Sequence, residues 1–157
     1  MKNRLGFTLI ELLVVISIIA LLASVVLVAL NNSRQKARDA NRMATVNQLS
    51  KAMELFFNTN FSYPTTTGVG ASFCVIGSAG CLDNLVPSYL AKIPVAPLPA
   101  DFTCGASYLG GTENDYQYGG TGAVNTVNNY TITFCLGSPT GSLTVAGAHT
   151  LTQGGVQ

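Results

Sequence analysis

The chain has 157 residues, a formal net charge of +1, 48% hydrophobic residues and only 10% charged ones. That length suits one modest domain and an anchor. Positive charge gathers in the first third, at Lys2, Arg4, Arg34, Lys36, Arg38, Arg42 and Lys51. Beyond Asn60, Lys92 stands against Asp83, Asp101, Glu113 and Asp115, which excludes a basic nucleic-acid face on that part of the chain.

A short basic start, residues 1–6, leads into the apolar run Phe7 to Leu30. About 24 residues at about 1.5 Å rise give about 36 Å, enough to span a hydrocarbon core of about 30 Å. Within that run stands one ionisable residue, Glu11. A carboxylate inside a membrane segment is costly and calls for a partner and a function. The run holds no Lys or Arg to pair with it. Cutting the chain after Gly6 would place an α-amine on Phe7, four residues before Glu11. A secretory signal has a shorter apolar core with its cleavage site after it, whereas here the core is longer and the cut would precede it. A plain anchor fits the length but leaves Gly6 and Glu11 without a reason. Both flanks of the run are basic, so charge counting leaves its orientation open.

Asn31, Asn32 and Ser33 form a weak point in helix propensity. A helical pattern resumes from Arg34 to Thr59, where Val46, Leu49, Met53, Phe56 and Phe57 recur at three- and four-residue spacings. Arg38, Asn41, Arg42, Gln48 and Lys51 are assigned to other faces. Arg34, Lys36, Arg38 and Arg42 read as a solvated basic cluster or as contacts to lipid phosphates. The apolar stripe needs something to pack on and is core, not a cofactor site. Ser62-Tyr-Pro64 ends the helix. Residues 65–103 are expected to be a loop-rich connection, kept irregular by Pro87, Pro94, Pro97 and Pro99, with a short helix or turn around Leu82 to Leu90.

The last third reads as β-structure. Asp115 to Tyr118 and Asn129 to Leu136 alternate at period two, so Tyr130, Ile132 and Phe134 are expected to face the helix stripe and Thr131, Thr133 and Cys135 to face away. Ala106 to Leu109 and Leu143 to Val145 are further strand candidates, and the Gly110 and Gly119 clusters are turn material. The expected fold is α+β: a long N-terminal helix with a small antiparallel sheet packed on its C-terminal half.

Cys74, Cys81, Cys104 and Cys135 all follow the apolar run. An even set in an exported chain reads as disulfides, and four cysteines allow three pairings. The favoured pairing is Cys74–Cys81, closing a short Gly/Ser-containing loop, with Cys104–Cys135 tying a loop to a strand. No Cys-x-x-Cys pair supports a zinc knuckle. His149 is the single histidine, without a nucleophile or acid in a recognisable arrangement, and reads as a surface residue. The Gly clusters lack the Gly-Lys-Ser/Thr ending of a phosphate loop. Asn60-Phe-Ser62 and Asn129-Tyr-Thr131 match a glycosylation sequon by coincidence of a short pattern.

The stretch Gly6-Phe-Thr-Leu-Ile-Glu11-Leu-Leu-Val-Val-Ile-Ser-Ile-Ile-Ala-Leu-Leu-Ala23 resembles the class III signal of type IV pilins and type II secretion pseudopilins. The likeness is close over Leu5 to Leu27 and continues more weakly through Arg38 to Met43 and Asn60 to Pro64. It implies a peptidase that cuts after Gly6 and N-methylates Phe7, and a role for Glu11 in contacting the methylated amine of a neighbouring subunit. It implies four segments: a leader, 1–6; a membrane and filament-core helix, 7–30; its amphipathic continuation, 31–60; and a head, 61–157. Many pilins carry a proline in the first half of the helix, where this chain has none. Lys92-Ile-Pro-Val-Ala-Pro97 looks like the pseudopilin segment before the sheet, which often carries Asp where Ala96 stands. A calcium ion at Glu113, Asn114 and Asp115 is the cofactor suggested by pseudopilins; the absence of a dense acidic cluster favours a polar turn there.

The resemblance therefore implies a non-enzymatic subunit that polymerises with its own copies. Its partners would be a prepilin peptidase, an assembly machine and the cytoplasmic membrane. Its destination would be a surface pilus, placed ahead on its disulfides and polar head, or a type II secretion pseudopilus in the envelope. A membrane-tethered binding module that never polymerises is the alternative of another class.

Overall fold

The computed structural model describes residues 6–64, 73–99, 104, 115–119 and 129–157. One helix, α1 (Leu9–Asn60), contributes to both of the compact units into which the chain divides, Met1–Arg34 and Gln35–Gln157. Its length follows from its composition: no Gly or Pro occurs from Thr8 to Asn60. It runs through Asn31 and Asn32 without interruption, so the weak propensity there does not break it.

Among the described residues of the first unit every large apolar side chain is exposed, from 42% at Leu30 to 83% at Phe7. The helix is long and apolar enough to cross a membrane, and none of its most apolar window is buried within the chain. Its hydroxyls are satisfied locally. Ser17 donates to Leu13 O (2.8 Å), Ser24 to Leu21 O (2.7 Å) and Ser33 to Ala29 O (2.9 Å). Such back-bonding hides polar groups that would otherwise be unpaired in lipid.

In the second unit α1 packs on an antiparallel meander. The strands are β1 (Phe73–Val75), β2 (Gln117–Gly119), β3 (Ile132–Leu136), β4 (Gly147–Thr152) and β5 (Gly155–Val156), in sheet order β1-β2-β3-β4-β5. Tyr118 opposes Ile132, which opposes Leu151. All three are buried, as are Tyr116, Phe134 and Leu136. They meet Val46, Leu49, Ala52 and Met53 of α1 in one continuous core, whose burial drives the association of helix and sheet. The helix ends where Phe61 adopts a left-handed φ of 53° and its N–H reaches Phe57 O at 2.7 Å, a C-terminal cap usually built by Gly. Beyond it the Tyr63 ring lies 4.7 Å from Phe57 and 4.7 Å from Tyr130. Tyr118 donates its hydroxyl to Pro64 O. Burial first, and then the neighbouring Tyr130 and Tyr63, push that hydroxyl well above the ordinary tyrosine range, so it keeps its proton.

Several expectations need correction. Arg42 is not on a solvated face: it is 1% exposed and paired with Asp39, which is fully buried. Thr133 and Cys135, expected on the side opposite Tyr130, Ile132 and Phe134, are also buried. The segment from 65 to 103 contains an unexpected strand, β1, whereas the short helix or turn expected around Leu82 to Leu90 is found, as a 3₁₀ turn at Asp83–Leu85 followed by further turn residues. The last strands are β4 and β5, not Leu143 to Val145. Leu143 makes an isolated bridge with Thr140, and Val145 is exposed. The candidate strand Ala106 to Leu109 lies outside the described residues.

Two disulfides join Cys74 to Cys81 and Cys104 to Cys135, with Cα separations of 5.7 and 6.1 Å. The second spans 31 residues of sequence and ends on a buried strand. A loop of that length gives a chain-entropy stabilisation of about 3–4 kcal/mol. The Cys104→Ser/Cys135→Ser chain is accordingly expected to lose that much stability in urea unfolding, with the denaturation midpoint moving down. An unchanged midpoint would show that the crosslink does not restrain the unfolded head.

Candidate assembly site at the start of the helix

Gly6, Phe7 and Thr8 precede the first helical residue, Leu9. Four N–H groups at a helix start have no partner within the helix. Thr8 and Glu11 satisfy two such groups, their own, reciprocally. The Glu11 N–H donates to Thr8 Oγ1 (3.3 Å), while the Thr8 N–H and hydroxyl both donate to Glu11 Oε2 (2.8 and 2.6 Å). This is a capping box, Thr8-Leu-Ile-Glu11, with the acid three residues after the cap. A negative side chain in the first turn also complements the partial positive charge of the helix start.

The arrangement has three chemical consequences. The carboxylate is held at the helix start by two donors of its own chain, so it is hydrogen-bonded even without a partner cation. Only Oε2 is used; among the described residues Oε1 accepts nothing. Phe7 projects beside it, 83% exposed, and Phe7, Glu11 and Val14 line one open hollow on the helix surface. A cation arriving at this face meets a positioned, half-satisfied carboxylate on an apolar ground. Gly6 has a different character. A Cβ built there meets nothing within 4 Å among the described residues, so no packing within the fold requires glycine at this position.

Thr8 was the residue hidden from the reading of charge alone. The pattern Thr-x-x-Glu directly before an apolar run was its signal. Of the calcium set, Glu113 and Asn114 lie outside the described residues and Asp115 is half-buried. No group of three or more His, Cys, Asp or Glu side chains that could hold a metal is found among the described residues. His149 is partly buried over Phe134, with ring centroids 5.8 Å apart and Nε2 3.0 Å from Val145 O.

Comparison with known proteins bears on this site directly. Residues 1–27 match the model of the prokaryotic N-terminal methylation motif. The chain is 46% identical over 63 residues to the type IV wide pilus major component PilA4 of Thermus thermophilus, covering 40% of this chain and about half (48%) of that protein. It is 36% identical over 100 residues to the type II secretion system core protein G of Escherichia coli, covering 64% of this chain and 66% of the relative. With the core protein G of Klebsiella pneumoniae it shares 30% identity over 104 residues, covering 65% of this chain and 74% of the relative.

The chain belongs to the type IV pilin and type II secretion pseudopilin family.

No solved structure matches it significantly. The matched methylation motif, residues 1–27, includes the capped helix start with the Thr8–Glu11 box. The matches to core protein G are longer than the motif itself.

Proposed function

We propose that this chain is a structural subunit of a type IV pilus-like filament, made as a membrane precursor, cut after Gly6, N-methylated on Phe7 and polymerised through α1. The observation that carries the reading is the combination of a helix whose most apolar stretch is unburied within the chain with a carboxylate fixed at its start. Outside lipid, so large an apolar surface is stable only against other such surfaces. The segments follow: 1–6 removed, 7–30 spanning the membrane and then the filament core, 31–60 bridging to the head, and 61–157 forming the head. Partners are further copies of the chain, a prepilin peptidase and an assembly machine. The protein has no catalytic role in this reading.

Glu11 then acts in registration. As a subunit leaves lipid, its unused Oε1 accepts the methylated Phe7 amine of a neighbour in a charge-assisted hydrogen bond. A subunit out of register would bury this carboxylate without a cation, and the mispairing would be rejected.

The second reading, a major pseudopilin of type II secretion, is favoured by matches to core protein G that extend past the motif. The two disulfides and a polar, Thr- and Gly-rich head favour the surface pilus. Recovery of the polymer in the fraction sheared from cells supports the pilus, and confinement to the envelope supports the pseudopilus.

The open surroundings of Gly6 make its replacement informative. Gly6→Leu is expected to leave membrane insertion and head folding unchanged and to block maturation, so that the mass of the purified protein stays that of the uncut chain. A mature mass from Gly6→Leu would refute cleavage at this bond.

A further inference from the structure

The residues from Asp83 to Pro99 run along α1 in the direction opposite to the helix. Near the start of this segment the Tyr89 ring packs edge-on against Phe56, with centroids 5.3 Å apart, and its hydroxyl accepts from Asn60 Nδ2 at 3.3 Å. At its far end Arg42 Nη2 donates to Pro97 O (3.1 Å) and Pro99 O (3.4 Å). Phe56 and Arg42 lie about 21 Å apart along the helix at about 1.5 Å per residue.

Two features of this segment do not serve the fold of one chain. The first is Leu98, 78% exposed between the two carbonyls that Arg42 holds. Arg42 is itself buried and paired with Asp39 at 2.7 Å. Leu98 is therefore an apolar side chain presented outward on a turn fastened from below. The second is a cavity of about 460 Å³ lined by Val86, Ala91, Ile93 and Val95 together with Gly77, Asp83 and Lys92. Its size and apolar lining suit an inserted side chain. Ala91, Ile93 and Val95 of its wall lie in sequence between Tyr89, packed at Phe56, and Pro97, held at Arg42.

Charge indicates what fills it. Apart from the buried Asp39–Arg42 pair, residues 34–51 carry Arg34, Lys36, Arg38 and Lys51, and residues 61–157 carry Lys92 against Asp83, Asp101, Glu113 and Asp115. The helix around the level of Leu98 is basic, and the head that bears the cavity is acidic. A second copy, parallel to the first and displaced along the helix, brings the basic level of one against the acidic head of the other. A knob and a cavity at different levels of one surface make a heterologous contact, which repeats into an open helical array instead of closing into a pair.

We propose that Leu98 of one copy enters the Val86–Val95 cavity of the next copy in the polymer. This contact rests on the filament reading and adds a head-to-head interface to it. Because Leu98 is exposed, changing it does not disturb the core of the monomer.

The test uses the full chain in its native host with the photo-crosslinker benzoylphenylalanine in place of Ala91, an exposed residue on the cavity wall. A parallel strain carries the probe in place of Val14, in the apolar helix. Irradiation is expected to yield covalent dimers from both. Peptide mapping of the Ala91 dimer is expected to place the crosslink on residues 95–99 of the second copy. Leu98→Asp should lower that dimer roughly tenfold or more, the factor that follows from losing a buried leucine. Leu98→Met should preserve it. Dimers from the Val14 probe with none from Ala91, or with Ala91 joined to another segment or another protein, would overturn the contact and leave the filament reading standing. Silence from both probes would overturn the filament reading, and the head contact with it.

Discussion

Replacing Glu11 with valine is expected to give a chain that enters the membrane at the wild-type level, folds its head and fails to assemble, with filament yield at the background of a strain lacking the peptidase. Insertion survives because valine extends an already apolar run. Folding of the head survives because the side-chain hydrogen bonds of Glu11 among the described residues all go to Thr8. Assembly fails because the neighbour's amine would enter an apolar core with no anion to receive it. Glu11→Gln separates the two duties of the side chain. Glutamine also serves at the third position of a capping box, so the helix start stays capped while the charge is lost. Quantifying polymer by shearing and by membrane fractionation should show both variants deficient. Full assembly by Glu11→Gln would assign the residue to capping alone, and full assembly by Glu11→Val would remove its role in registration.

Arg42→Ala should be the most damaging single change in the unit Gln35–Gln157. Asp39 and Arg42 are 0% and 1% exposed, and their side chains meet at 2.7 Å. Around this pair the fold is clasped on two sides. Asp39 accepts from the Gly137 N–H (3.1 Å) and the Ser138 hydroxyl (2.7 Å), just past β3. Arg42 holds the Pro97 and Pro99 carbonyls. Removing the guanidinium strands a buried carboxylate, at a cost of about 3–5 kcal/mol. Against a total stability of about 5–15 kcal/mol this is a large share, and the thermal midpoint should fall by on the order of 10 °C or more. The double variant Asp39→Leu/Arg42→Met should recover most of the loss, since an apolar pair of similar size avoids the stranded charge. A single variant that melts at the wild-type temperature would show that the pair is not coupled to the head's stability.

The parts of this fold legible in the sequence are those where one physical demand dominates. The Phe7–Leu30 run can only be an apolar helix, and Val46, Leu49 and Met53 can only be its buried continuation. Tyr130, Ile132 and Phe134 alternate cleanly and are all buried in the core that includes Val46, Leu49 and Met53 of α1. Arg42 escaped because it stands among Arg34, Lys36 and Arg38, and a run of basic residues reads as solvated. Its spacing told otherwise: 39, 42, 46, 49 and 53 continue one three-four pattern, and Asp39 supplies the charge that makes burial tolerable. Strand β4 escaped because Gly147-Ala-His-Thr-Leu-Thr152 buries only Leu151, so its pairing with β3, not its own pattern, makes it a strand. Strand β1 is three residues long and gains its conformation from β2. At the site, charge placement revealed Glu11 but not its orientation, which depends on the hydroxyl and N–H of Thr8.

The most direct test of the filament reading is the intact mass of the native protein in sheared, envelope and membrane fractions. The account predicts a species that begins at N-methylated Phe7, lighter by the hydrogens lost in two disulfides, and present in polymer. A chain that keeps residues 1–6 in a host with an active prepilin peptidase, and is found only as monomers in the membrane, would contradict it.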